Sequence, residues 1–312
     1  MGNVQNTCKF ISCFSYKGGA GRSTLAINVV PYLAEMLNAT EKRPLVLVDM
    51  DIDSCGLTFL FDLHNDHRIK KECVQSWFHP RFSNMPIVDE DEDEIDSALD
   101  HEMFQNLYPV GEFFGFRPKE ILCLPANPGE TIKGDSNYDA PLSSHISAFK
   151  RMCKSTACGV LFDSAVGSQL TAIWSNNCAS HIMCCLRPTE QFREGTKHFF
   201  DIYDTKANSK NIIIIPNIVP VDELSIKGKN GIINNYPSYA KDRILEDFKD
   251  NLSRKNNNYI LDLLEGNKFG VPKIDRFMWQ EGVLKNAENL SEIERTALDI
   301  YKEIARMIVA GN

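Results

Sequence analysis

One glycine-rich turn and three carboxylates carry the residue types and spacing in this chain that point to chemistry. The turn is Phe14-Ser15-Tyr16-Lys17-Gly18-Gly19-Ala20-Gly21-Arg22-Ser23-Thr24. A short apolar run precedes it (Phe10, Ile11, Cys13, Phe14). Apolar residues at helical spacing follow it: Leu25, Ile27, Val29, Val30, Leu33, Met36 and Leu37. A strand, a glycine turn and a helix N-terminus make a geometry that holds phosphate, because backbone N–H groups converge on the anion and the helix dipole adds partial positive charge. The carboxylates are Asp49 and Asp51, after the run Leu45-Val46-Leu47-Val48, and Asp163, after Val160-Leu161-Phe162. Taken singly, each reads more readily as a strand-end cap or loop carboxylate. Their place behind the glycine turn makes a ligand-side role the stronger reading.

The elements that must position these residues are legible as continuous apolar runs. Runs of this kind mark parallel strands buried on both faces, and open α/β sheets place ligands at strand C-termini. Beyond 45–48 and 159–162, the runs are Ile121-Leu122-Cys123-Leu124 (closed by Pro125), His181 to Leu186, and the β-branched Ile212 to Ile215. Helical patterns alternate with them. The expected fold is therefore α/β, doubly wound, with a mostly parallel sheet and helices on both faces. A single domain over 1–312 is expected, with elaborations at about 61–117 and 221–269. The first elaboration contains the acidic run Asp89 to Glu94, read as a solvated surface loop. Its aromatics Trp77, Phe78, Phe82, Phe104, Tyr108, Phe113 and Phe114 predict a small apolar cluster of its own against the main body. The second elaboration reads as a polar glycine-rich segment, Lys227 to Asn235, then a salt-bridged helix from about Tyr239 to Leu252. The last helix repeats Ile293, Ala297, Ile300, Tyr301, Ile304, Met307 and Ile308, with acids interspersed, and is expected to dock on the sheet.

The standard P-loop places Lys and then Ser or Thr after its last glycine; here Arg22 and Ser23 stand there, with an extra lysine, Lys17, before the double glycine. This pattern resembles the deviant Walker A loop of the ParA/MinD ATPases, in a branch with arginine in place of the P-loop lysine. The Asp49-x-Asp51 pair resembles that family's second motif, and Asp163 with Gly167 resembles a Walker B strand running into a switch loop. Ala165 and Val166 stand where many relatives have prolines, and Val271-Pro272-Lys273-Ile274 resembles the family's last short strand. The resemblance implies a P-loop NTPase that binds ATP and Mg2+. Phosphates would lie on the amides of Gly18, Gly19, Ala20, Gly21, Arg22, Ser23 and Thr24, with Arg22 on the β- and γ-phosphates. Ser23, Asp49 and Asp163 would serve the metal, and Asp51 would place the attacking water. Lys17 would reach across a nucleotide-dependent homodimer to the partner's site. Asn217, after the 212–215 strand, would recognise adenine; a plain turn-forming asparagine is the competing reading. The implied activity is slow ATP hydrolysis that switches affinity for protein partners. A nucleotide-binding pseudo-ATPase adaptor and a ParA-like DNA partition protein are the alternatives. A Rossmann dehydrogenase is disfavoured, since Gly-x-Gly-x-x-Gly is absent from the turn.

Composition sets the remaining bounds. The 312 residues carry a net charge of −8, which disfavours nucleic acid or an anionic membrane as the general partner. No apolar run reaches the length of about 18 residues that marks a membrane span, and the N-terminus lacks the pattern of a signal peptide. A cytoplasmic location is expected. The ten cysteines lack paired Cys-x-x-Cys spacing and read as small buried apolar residues. His64 and His67 read as surface residues, with no third ligand at metal spacing.

Overall fold

A computed structural model describes residues 7–78, 104–130, 139–203, 210–220, 226–228, 231–233, 236–250, 258–260, 262–263, 268–278 and 282–310. The acidic run 89–94 and Phe82 lie outside the described residues. In chain order the first elements are β1 (Lys9–Ser15), α1 (Arg22–Met36), β2 (Leu45–Asp49), α2 (Gly56–Leu60) and α3 (Val74–Phe78). Next come β3 (Tyr108–Pro109), β4 (Ile121–Leu124), α4 (Asp139–Thr156), β5 (Gly159–Val166), α5 (Leu170–Cys178) and β6 (His181–Leu186). Then α6 (Glu190–Tyr203), β7 (Asn211–Pro216), β8 (Ile226–Gly228), β9 (Gly231–Ile233) and α7 (Tyr236–Phe248) follow. The last are β10 (Asn258–Ile260), β11 (Asp262–Leu263), β12 (Lys268–Phe269) and α8 (Glu292–Ala310).

Eight strands form one sheet in the order β10-β7-β6-β1-β5-β2-β4-β3. The pairings of β2 with β4 and β5, of β6 with β7, and of β7 with β10 are parallel; β3 closes one edge antiparallel to β4. The α/β, mostly parallel architecture is the expected one. Strand order departs from chain order on both sides of β1, which is the doubly wound pattern.

The chain divides into two units. One comprises Met1–Ser12, Leu33–Ala165 and Gln169–Ala179; the other comprises Cys13–Tyr32, Val166–Ser168 and Ser180–Asn312. In the first, even-numbered strand residues (Val46, Val48, Leu122, Leu124, Val160, Phe162) pack against Phe149 and Met152 of α4, Trp174 of α5, and Trp77 and Phe78 of α3. Trp77, Phe78 and Phe104 thus belong to this unit's main core, where a separate cluster was expected. A smaller aromatic group, Phe61 with Phe113 and Phe114, sits apart at ring separations of 5.1 and 5.8 Å. In the second unit a chain of rings runs Phe14–Phe199–Phe200–Phe248, at centroid distances of 4.6, 5.6 and 5.6 Å, and binds β1, α6 and α7 together.

The 221–269 stretch differs from expectation. Its glycine-rich part forms the β8–β9 hairpin, its helix runs Tyr236–Phe248, and β10 adds a parallel edge strand on β7. Among the described residues Val271–Ile274 supplies a single bridge, Val219 to Pro272, in which Val219 N–H donates to Val271 O at 3.0 Å and Lys273 N–H donates to Val219 O at 2.8 Å. The apolar stripe of α8 is buried, from Ala297 to Ile308. None of the ten cysteines is in a disulfide, and nine are buried. Burial pushes the Cys55 and Cys158 thiols up to about 12, so they behave as apolar residues.

Candidate functional site

In the second unit the glycine turn joins the end of β1 to the first residue of α1. Gly19 and Gly21 have φ values of +78° and +81°, a region that side chains with a Cβ rarely enter. The turn's carbonyls are fastened inside the unit. Ala20 O accepts from Asn217 Nδ2 at 2.8 Å and from the Cys185 thiol at 3.1 Å. Gly21 O accepts from Asn217 Nδ2 at 3.3 Å and from Leu25 N–H at 2.9 Å, and Arg22 O accepts from the Cys13 thiol at 3.4 Å. In a trans planar peptide the C=O and the next N–H point in opposite directions. The N–H groups of Gly21, Arg22 and Ser23 are therefore turned away from the anchored side. Lys17, Gly18 and Gly19 are exposed, Ser23 and Thr24 are half-buried, and Arg22 is buried. The first turn of α1 carries no acidic residue to repel an anion.

Two packing contacts frame the turn. The Tyr16 ring lies on Gly195 of α6 so closely that a Cβ at Gly195 would overlap it, and it meets His198 edge-on at 5.7 Å. Gly167, with φ of +61°, follows β5 and donates its N–H to Ser15 O at 3.1 Å.

In the first unit, Asp49 and Asp163 are register partners at the ends of β2 and β5, both fully buried. Parallel register partners project to the same face, so two carboxylates share one buried place. Asp49 Oδ2 accepts from the backbone N–H and the hydroxyl of Thr58, at 2.9 and 2.7 Å. Asp49 Oδ1 is buried and takes no hydrogen bond among the described residues. Burial, then the neighbouring Asp163 charge, push the Asp49 carboxyl up to about 7, with the Thr58 hydrogen bonds pulling the other way. Asp51 is nearly buried, and its carbonyl closes the turn that leads into α2 by accepting from Cys55 N–H at 2.7 Å. Asp53 accepts from Gln169 Nε2 at 3.2 Å.

These residues fit a hard divalent cation. Carboxylate oxygens are the donors Mg2+ prefers, and Asp49 Oδ1 is an open buried acceptor that a cation would satisfy. No cluster of three or more His, Cys, Asp or Glu stands together among the described residues. Mg2+ does not need one, since it is commonly held by one or two carboxylates plus phosphate oxygens and water. His64 and His67 instead face Asp62 and Asp66, at 3.5 and 3.6 Å.

No family model matches this sequence, and no curated protein matches it. Solved structures do match. MinD from Pyrococcus horikoshii, complexed with Mg-ADP, aligns over 97% of this chain and 98% of that chain, at 14% identity and a TM-score of 0.52. A chain of the MinC:MinD cell division protein complex of Aquifex aeolicus aligns over 98% of this chain and 97% of that chain, at 14% identity and a TM-score of 0.55. Apo McdA from Cyanothece aligns over 96% and 99%, at 13% identity and a TM-score of 0.56. The chain has the MinD and McdA fold. The likeness spans almost the whole of each chain, so the fold is shared entire and not as a fragment.

Three structural facts had no counterpart in the sequence reading. Thr58 holds Asp49 from α2, Cys185 holds Ala20 from β6, and Asn217 turns its amide nitrogen onto the glycine turn. A threonine nine residues beyond Asp49 gives no periodic signal. The Cys185 and Asn217 contacts join residues 165 and 197 positions apart.

Proposed function

We propose that this chain is a ParA/MinD-like, ATP-binding molecular switch, a single P-loop ATPase domain acting in the cytoplasm. The observation that carries the reading is the glycine turn at the head of α1, whose carbonyls are tied inward so that successive N–H groups face the other way. In the proposal the amides of Gly18 to Thr24 hold the phosphates and Arg22 adds a guanidinium to the β- and γ-phosphates. Ser23, Asp49 and Asp163 would hold Mg2+, which would neutralise charge on the phosphate oxygens. Asp51 orients the attacking water. Lys17, exposed on the turn, completes the site of a second copy in an ATP-bound homodimer. Hydrolysis separates the copies and changes their affinity for a protein partner. The fold shared with MinD and McdA supports the reading, as does the buried carboxylate pair.

Arginine at position 22 sets the expected rate. Its planar fork is wider than the compact ammonium of lysine, so turnover is slow and binding is retained. Phosphate release by the purified protein, compared with Asp51→Ala and Arg22→Lys, tests this. The expected result is slow release in the wild type, none in Asp51→Ala with ATP affinity retained, and a changed rate in Arg22→Lys. ATP binding without release, untouched by Asp51→Ala, would make the protein a pseudo-ATPase adaptor. Absence of ATP binding would overturn the reading altogether.

A further inference from the structure

We propose that Cys185 and Asn217 are positioning residues that clamp the Ala20–Gly21 segment of the glycine turn from beneath, and that Asn217 acts on phosphate binding through this clamp. The proposal rests on the nucleotide reading given above. Its geometry lies wholly within one unit. Cys185 and Asn217 come from the C-terminal ends of adjacent parallel strands, β6 and β7, whose register pairs Cys185 with Ile215 and Leu186 with Pro216. The Asn217 N–H extends that ladder to Leu186 O at 2.8 Å. Both side chains are buried, and Asn217 Nδ2 also lies 3.4 Å from Cys185 Sγ. The two thus form one connected donor set under two successive carbonyls.

Backbone strain marks the same corner. Ile218 has φ of +58°, a conformation that L-residues seldom adopt and a true outlier for a β-branched one. Strain of this kind persists only where surrounding contacts hold it. Here it brings Asn217 and Ile218 against Gly21: a Cβ on Gly21 would lie 2.7 Å from Asn217 Nδ2 and 3.3 Å from Ile218 Cδ1. Gly21 is therefore required twice, by its own φ and by the clamp.

The amide nitrogen of Asn217 spends its two hydrogens on three nearby acceptors, the carbonyls of Ala20 and Gly21 and the sulfur of Cys185. Turning that nitrogen onto another acceptor would release one of these contacts. Holding the turn fixes the peptide planes that aim the Gly21 and Arg22 N–H groups, and preorganised donors of this kind bind an anion without reorganisation.

Inorganic tripolyphosphate separates the two roles, because it presents phosphates without a base. Affinities for MgATP, MgGTP and tripolyphosphate are measured for the wild type, Asn217→Ala, Cys185→Ala and Cys185→Ser. Asn217→Ala should weaken ATP and tripolyphosphate by the same factor, about 5- to 10-fold, the worth of one or two net hydrogen bonds, and leave the ATP-to-GTP ratio unchanged. Cys185→Ala should weaken both by about 2- to 5-fold and Cys185→Ser, which keeps a donor, by less than about 2-fold. Loss of ATP affinity and of the ATP-to-GTP ratio with tripolyphosphate unaffected would overturn the proposal in favour of base recognition. Variants that melt earlier yet bind like the wild type would also overturn it, since the contacts would then be structural only. A wild type that binds neither ATP nor tripolyphosphate removes the nucleotide reading and this proposal with it. A wild type that binds, with unchanged variants, removes this proposal alone.

Discussion

Burial and the adjacent Asp163 carboxylate push Asp49 up to about 7 from 3.8, against the two hydrogen bonds from Thr58. The native state therefore holds a proton on Asp49 across a pH window in which the unfolded chain has released it. A group with a raised acid pKa makes the metal-free protein lose stability as pH rises from about 4 to 7. Asp49→Asn keeps an acceptor for Thr58 and removes the charge. It should melt higher than the wild type at about pH 8, by about 2–4 °C for each kcal/mol of relief, and show a flatter melting temperature between pH 4 and 8. The same variant should lose the extra stabilisation that Mg2+ gives to the ATP complex, measured by thermal melts with and without the metal. Identical pH profiles for wild type and variant would mean that Asp49 is ionised throughout. Sequence identified Asp49 as a strand-end acid, because an apolar run ending in aspartate is a local pattern. It gave no sign of Thr58, whose contact with Asp49 exists only once α2 folds back over the end of β2.

The glycine turn answers to a helix as well as to its own residues. Tyr16 stands where the standard P-loop has its first glycine, and its ring occupies the space that any side chain at Gly195 would need. A glycine within a helix normally costs about 1 kcal/mol relative to alanine, so Gly195→Ala would stabilise an isolated α6. Here the added methyl overlaps the ring, and overpacking costs about 1–3 kcal/mol. The single variant should therefore be destabilised, and Tyr16→Gly combined with Gly195→Ala should recover most of the loss in a double-mutant cycle. Additive losses would show that ring and glycine are independent. On its far side α6 is joined to α7 by Arg193 and Lys197, which bond Asp247 at 2.6 and 2.8 Å. Burial raises the Asp247 pKa, but the hydrogen bonds from Lys197 and Arg193 outweigh it and hold the carboxyl below its usual range. At this scale the sequence was legible wherever an element is long and apolar. It failed for β10, a three-residue edge strand preceded by asparagines, which is defined by its pairing with Ile212 to Ile214.

Over the whole molecule the net charge of −8 opposes the proposed homodimer, since two like-charged copies repel and each bound nucleotide adds further negative charge. That repulsion acts between exposed charges and is screened with a Debye length of about 8 Å at physiological salt. A close Lys17–phosphate pair, desolvated at an interface, is screened far less. Opposite salt responses follow for the two terms, and the long-range repulsion dominates because one lysine per copy meets a net excess of acids. ATP-dependent association should strengthen as ionic strength rises from about 0.05 to 0.2 M, over which the screening length is roughly halved. This is the reverse of what nonspecific DNA binding would show, which weakens steeply with salt. Lys17→Ala should keep ATP affinity within about 3-fold, because a residue serving the partner's site contributes little to its own, and should lose the ATP-dependent dimer. Sedimentation velocity with ATP and with ADP reads both effects. A Lys17→Ala chain that still dimerises with ATP would remove the cross-protomer role and leave Lys17 as a surface cation of its own turn.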